Sequence, residues 1–187
     1  MGKNNLIFGI HPLIEALEAG REIDKILLKR GLRSSEVSHI MDVAKERTIP
    51  VQIVPEERLT RLTRKQHQGV IAFISEIEYT QLDQLIPMLY EEGRSPFVVL
   101  LDGLTDVRNF GAIARTAECA GVDAIIIPER GSVSVTADAV KTSAGALHRI
   151  PVCRVSSIQA AVTLLQENGI PIVAALAMKV RQLARVA

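Results

Sequence analysis

Apolar and polar positions along the chain follow two rhythms, and the switches between them mark out the elements. At the amino end, "LIFGIHPLIEALEAGREIDKILLKRG" reads as a strand or turn, a helix and a strand. His11-Pro12 opens the helix, because proline is tolerated in a first turn, where its missing N–H costs nothing. Leu13, Ile14, Ala16 and Leu17 form the apolar stripe, and Gly20 ends it. "KILLK" predicts a short buried strand. In "SSEVSHIMDVAKERTI", Ser34 or Ser35 can cap a second helix whose apolar face is Val37, Ile40, Met41 and Ala44. "PVQIV", between Pro50 and Pro55, predicts a strand, "EERLTRLTRKQ" a short basic helix, and "GVIAFISEIEY" another strand. This makes a compact α/β unit over residues 1–78.

Residues 79–95 are amphipathic and mixed, and read as a linker containing a helix interrupted near Pro87. A second α/β unit follows over 96–187. Its strands are "PFVVLLDGL", "DAIIIP", "IPVCRV" and "IPIVAAL". Helices lie between them: one ending at Gly121, one around "TADAVKTSAGAL", and "SIQAAVTLLQENG" with a Ser cap and a Gly169 stop. Strands alternating with helices imply a parallel sheet with right-handed crossovers. Such a sheet needs a helix after each strand to cover its face. After "IPIVAAL" only the basic, apolar tail "AMKVRQLARVA" remains, so the second unit reads as unfinished.

Composition narrows the classes. The chain has 187 residues, 48% of them apolar, which is enough to build a core and argues against disorder. A net charge of +1 supplies no global field toward nucleic acid or membrane, so any RNA contact must come from a local patch. Cys119 and Cys153 have no metal-site spacing and read as buried thiols in a reducing cytoplasm. No metal site is expected. Acidic residues interrupt the apolar run at the amino end, so no signal peptide is expected, and no window is apolar enough to span a bilayer.

The chemistry concentrates in "DGLTDVRNFGAIARTAECAG", residues 102–121, a loop opening into a helix at the carboxyl end of a strand. Ligands of parallel α/β sheets bind at such ends. Gly103 and Gly111 permit tight turns or close approach. On a helix starting near Phe110, Phe110, Ile113, Ala114 and Ala117 share one face, and Arg115 falls off it with Ala112 and Glu118. A guanidinium there offers a fork of donors to a phosphate or a developing oxyanion. It could equally pair with Glu118, three residues on. Asn109 could be a helix cap, and Asp102 and Asp106 could be turn formers. Neither G-x-G-x-x-G nor a Walker lysine loop is present, which argues against dinucleotide binding and nucleotide hydrolysis.

"LDGLTDVRNFGAIARTAECAGVDAIIIP" resembles the first signature motif of the SpoU (TrmH) family of RNA 2′-O-ribose methyltransferases. "FGIHPLIEAL" and "RKQHQGVIA" resemble that family's amino-terminal substrate-binding domain, and "KTSAGALHRIPVCRV" the segment after the first motif. The likeness runs over residues 5–173 and is greatest to the 23S rRNA guanosine-2′-O-methyltransferase branch. The resemblance implies an α/β fold: a ribosomal-protein-like RNA-binding domain, then a parallel-sheet SPOUT domain. It also implies a homodimer and S-adenosylmethionine as cofactor. By the same resemblance Asn109 and Arg115 occupy the motif's catalytic-centre positions, and Gly111 its glycine. Arg115 would hold the phosphate and favour the ionised ribose hydroxyl, and Asn109 would order the loop. The second and third motifs, which carry the trefoil knot and most of the cofactor pocket, have no counterpart in this sequence. The expectation is therefore a SPOUT domain lacking its knot segment, truncated and of reduced or no activity, with its cofactor residues unassigned.

"ERLTRLTRKQHQG" places Arg58, Arg61, Arg64 and Lys65 within two predicted helical turns, with Arg58, Arg61 and Lys65 on one face. Lys29, Arg30 and Arg33 form a second cluster. Both are candidates for RNA backbone contacts, although a solvated helix face would have the same composition. His67 reads as structural. Two alternatives stand beside a methyltransferase acting on 23S rRNA: a non-catalytic RNA-binding remnant, and a metabolite-binding α/β protein.

Overall fold

The computed structural model describes residues 6–175. In chain order these form β1 (Leu6–Phe8), α1 (Ile10–Glu18), β2 (Ile23–Lys29), α2 (Ser35–Glu46), β3 (Val51–Val54), α3 (Glu56–Leu62), β4 (Val70–Ile74) and β5 (Tyr79–Thr80). There follow α4 (Leu82–Glu91), β6 (Val98–Leu100), α5 (Val107–Cys119), β7 (Ala124–Pro128), α6 (Ala137–Thr142), β8 (Val152–Val155) and α7 (Ile158–Glu167). A single 3₁₀ turn, Ala146–His148, precedes β8.

The first sheet has the order β1-β4-β2-β3 and is mixed: β4 runs antiparallel to β1 and β2, while β2 and β3 are parallel. Alternation along β2 sends its side chains to two cores. Ile26 and Leu28 meet Leu13 and Leu17 of α1 and Ile40 of α2, while Leu27 meets Leu59 of α3 and Ile71 of β4. Ser34 is the α2 cap, its Oγ accepting the Val37 N–H at 3.2 Å. Met41, expected on the apolar face of α2, is exposed: the other three positions fill the width the sheet offers.

The β2–β4 ladder slips by one residue. Ile23 faces Ile74 and Lys25 faces Phe73, so Asp24 is an extra residue, a β-bulge, on β2. This strand starts two residues earlier than "KILLK" suggested.

The second sheet is wholly parallel, in the order β5-β8-β7-β6, as the strand–helix alternation predicts. Ile125 and Ile127 of β7 pack under Phe110, Ala114 and Ala117 of α5, and Ala124 and Ile126 pack on α4 and α7. Residues 79–95 are thus more than a connection: β5 pairs with β8, and Leu82, Leu85, Ile86 and Leu89 of α4 are buried in this core. Pro87 lies inside α4 on its exposed side and does not interrupt it. "GVIAFISEIEY" is not one strand: β4 ends at Ile74, and Tyr79 joins the other sheet. "TADAVKTSAGAL" breaks at Ala144 and Gly145, whose φ angles are 52° and 83°. The apolar run at Ile170–Ala175 forms no strand, because only Ile170 finds a place in the core, while Val173 is 92% exposed. The tail 176–187 lies outside the described residues.

Candidate functional site

The first-motif stretch builds α5 from its cap upward. Asp106 is the cap: its Oδ1 accepts the Asn109 N–H at 2.7 Å. The helix therefore starts at Val107, one turn earlier than the apolar pattern indicates, and Asn109 lies inside its first turn. The Asn109 side chain is exposed and free of the capping role.

Phe110, Gly111, Ala114 and Ala117 are the buried face of α5. Gly111 is there for packing. A Cβ added to it would stand 2.7 Å from the Thr142 Cβ, 2.9 Å from the Ala139 carbonyl oxygen and 3.0 Å from the Ser143 nitrogen. Its absence lets α5 and α6 touch backbone to backbone.

The opposite arc is exposed: Arg108, Asn109, Ala112, Arg115, Thr116 and Cys119. Glu118 does not pair with Arg115. Its two carboxylate oxygens accept from Nε and Nη2 of Arg149, at 2.6 and 3.1 Å, across the gap to the loop before β8. That bidentate contact holds the Glu118 carboxyl below its ordinary value. Among the described residues Arg115 has neither hydrogen bond nor ion pair, so its donors are open to an incoming anion. Asn109 and Arg115 do not touch; six helical positions separate them by about 9 Å along the axis and roughly 120° around it. Arg108, two turns before Arg115 on the same stripe, adds a second guanidinium that the sequence reading passed over. Cys119 is exposed on this stripe, not buried as expected, while Cys153 is buried in β8.

The two basic clusters meet in part, at one end of the first sheet, where Lys29 comes together with Arg64 and Lys65. β2 delivers Lys29 beside the start of α3 and the loop 63–69, its N–H donating to the Gly69 carbonyl at 2.8 Å, while Arg33 lines a separate cavity against α2. A cavity of about 460 Å³ there is lined by Lys29, Glu56, Thr60, Arg64, Lys65 and His67. The helix expected to carry Arg58, Arg61, Arg64 and Lys65 on two turns ends at Leu62. Only Arg58 and Arg61 lie on it, both exposed. Arg64 and Lys65 belong to the loop, and Lys65 sits 5.3 Å over the Phe8 ring. Lys29 is ion-paired with Glu56, which mutes it. His67 is structural, as expected: its Nδ1 accepts the Gly69 N–H at 3.0 Å and shapes the loop.

A second cavity, about 600 Å³, lies between the two units and is lined by residues that include Glu22, Glu78, His148 and Arg149. Burial raises the Glu22 carboxyl above its ordinary value, against the pull of Arg154 and Arg47. Among the described residues no cluster of side chains is placed to hold a metal ion, and no helix is long and apolar enough to cross a membrane.

Residues 6–80 match the family model described as RNA 2′-O ribose methyltransferase substrate binding, and residues 96–186 match that of the SpoU rRNA methylase family. A Staphylococcus haemolyticus protein assigned to the TrmH family of tRNA/rRNA methyltransferases is 40% identical over 164 residues, covering 88% of this chain and 66% of that one. A Staphylococcus aureus protein of the same description is 39% identical over 167 residues, covering 89% and 67%. The chain thus spans about two thirds of the length of these relatives. Among solved structures, the AdoMet-bound rRNA methyltransferase from Sinorhizobium meliloti is similar at 23% identity and a TM-score of 0.42, covering 88% of this chain and 58% of that one.

Proposed function

Since the chain belongs to the SpoU (TrmH) family of RNA methylases, we propose that it binds RNA and takes part in methylation of a ribose 2′-hydroxyl, with 23S rRNA as the target class and S-adenosylmethionine as the methyl donor. One observation carries this reading. Arg115 stands exposed on α5, the helix that leaves the carboxyl end of β6, and the carboxylate nearest in sequence is already engaged by Arg149. An unpaired guanidinium in that place is suited to an anion supplied from outside.

A ribose hydroxyl becomes a nucleophile as its proton leaves. A guanidinium beside the adjacent phosphate would fix the nucleotide and offset the charge growing on the 2′-oxygen. Asn109, with its side chain free of the cap, can offer both an amide donor and an acceptor to the same nucleotide. The basic end of the first sheet would hold the RNA backbone.

The loop Asp102–Asp106 is largely exposed, and a Cβ on Gly103 would meet no atom within 4 Å. This reading therefore gives Asn109, Arg115 and the basic residues to the RNA, and none of them to the donor. The homodimer and the cytoplasmic setting that the resemblance implies belong to the same proposal.

The same open loop favours a second reading, in which this chain binds RNA without transferring a methyl group. Filter binding of a 23S rRNA transcript over a salt series, run beside methyl transfer from labelled S-adenosylmethionine, separates the possibilities. Salt-dependent binding with ribose methylation supports the first reading. Binding without methylation supports the second. Absence of salt-dependent binding overturns both.

A further inference from the structure

The contact between the two units is built around a buried charge pair. Asp24 of β2 and Arg154 of β8 are 5% and 7% exposed, and Arg154 Nη2 donates to Asp24 Oδ1 at 3.3 Å. The same oxygen accepts the Tyr79 hydroxyl at 2.9 Å and the Val135 N–H at 3.2 Å. Arg154 Nη1 donates to the Ile23 carbonyl at 3.2 Å, and its guanidinium lies 3.6 Å over the Tyr79 ring. Burial keeps the Tyr79 hydroxyl protonated, so it remains a donor.

Each group reaches this point for a local reason. The bulge on β2 turns Asp24 out of the first ladder, as an extra residue re-aims a side chain. The chain bends after Ile74, so Tyr79 enters the second sheet beside Val152. Arg154 pairs with Ile127, next to Pro128 at the end of β7. The charge pair therefore lies toward the carboxyl end of β8, while the contact between the units runs back past Val152, where Tyr79 pairs, to the cavity beside His148 and Arg149. The loop 129–136 leaves the carboxyl end of β7, and its Val135 N–H is held by Asp24. Next to it, Lys25 Nζ donates to Ser134 Oγ at 3.3 Å. A carboxylate of the RNA-binding unit thus orders a loop of the methylase unit.

We propose that Asp24 and Arg154 are positioning residues for RNA: they seat the first unit against β8 and hold loop 129–136, so that both units present one RNA surface. This rests on the reading of the chain as an RNA-acting protein. Lys29 lies about 17 Å further along β2 than Asp24. A tilt at the junction would therefore move the whole basic end relative to Arg115, while leaving each unit's own core unchanged.

The test uses the full chain, hydrogen exchange followed by mass spectrometry, and binding of a 23S rRNA transcript. Asp24→Asn keeps the shape and removes the charge; Tyr79→Phe keeps the ring over Arg154 and removes one donor. In Asp24→Asn, exchange in loop 129–136 should rise by about tenfold or more, as expected when a buried acceptor is weakened. Peptides containing Ile26 and Ile126 should keep their protection, and RNA affinity should fall by a similar factor. Tyr79→Phe should shift both readouts in the same direction by less. Loss of protection in both cores would make the pair a plain stability element and overturn the proposal. Unchanged loop exchange, or unchanged RNA affinity despite a freed loop, would overturn it as well. If the unaltered chain binds no RNA, the reading of function fails, and the exchange measurement still decides whether Asp24 orders the loop.

Discussion

Glu118 and Arg149 form a two-pronged ion pair, 2.6 and 3.1 Å, that leaves Arg115 without an acidic partner. Arg115→Ala should therefore leave the unfolding free energy, read by urea denaturation, within about 0.5 kcal/mol of the parent, as surface substitutions do. It should weaken binding of an rRNA transcript and flatten the dependence of log K on log salt by about one unit, the signature of one lost phosphate contact. Glu118→Ala is the control: it frees Arg149, not Arg115, and should not flatten the slope. Equal slopes for the parent and Arg115→Ala would assign Arg115 to the solvated surface.

Lys29 and Glu56 make the opposite case, a cation already held by an anion. Glu56→Ala should tighten RNA binding by a few-fold, because the freed ammonium becomes available to phosphate. Arg30→Ala and Arg64→Ala should each weaken it, with about one unit less salt slope. Filter binding at several salt concentrations reads all three; no gain from Glu56→Ala would place the RNA elsewhere.

A half-buried carboxyl at the junction sets a pH signature. Glu22 titrates above its ordinary value of 4.5 because burial disfavours its charge. With the folded value raised, the charge costs stability at pH 7, and the cost disappears as pH falls through the folded value toward the unfolded one. Glu22→Gln should therefore raise the urea midpoint at pH 7 and change it little near about pH 4. Glu118 and Glu56, both lowered, have the reverse sign: their contributions are present above 4.5 and fade as pH falls through their folded values.

The two thiols should differ sharply toward iodoacetamide. Cys119 is exposed on the arc of Arg115, whereas Cys153 is buried and its thiol is pushed up to about 12. Intact-mass measurement should show a single alkylation, at Cys119. Bound RNA should slow it if that arc faces RNA.

Gly111→Ala tests the α5–α6 contact. Two of the three atoms the new Cβ would crowd are backbone, so the helices must separate. A loss of about 1–3 kcal/mol is expected from overpacking, more than the roughly 1 kcal/mol that alanine gains over glycine in a helix. Urea denaturation that shows no loss would mean the helices separate at little cost.

What the sequence made legible was local. The Ser34 cap, the parallel second sheet and the apolar face of α5 follow from patterns a few residues wide. Asn109 and Arg115 stand out as candidates because the motif that holds them is contiguous. The misses have non-local causes. Lys65 left the predicted helical face because the chain turns at Thr63 and a Phe8 ring, far back in sequence, receives the ammonium. Cys119 looked apolar by composition, yet the phase set by the Asp106 cap turns it outward. Asp24 gave no signal at all: its significance depends on a one-residue slip against β4 and on an arginine 130 positions away.

That slip separates two properties that are usually tied together. Asp24 is surplus to the first sheet's ladder, so its side chain is free to serve the second unit. Descent can therefore retune how firmly the amino-terminal unit adheres to its neighbour. Removing the extra residue would regularise the strand and, in the same step, strand Arg154 without its counter-charge. A graft of this amino-terminal unit onto another methylase would need a matching basic residue on the recipient strand that corresponds to β8. Without it the transplanted unit would keep its own core but lose its fixed seat on the neighbour.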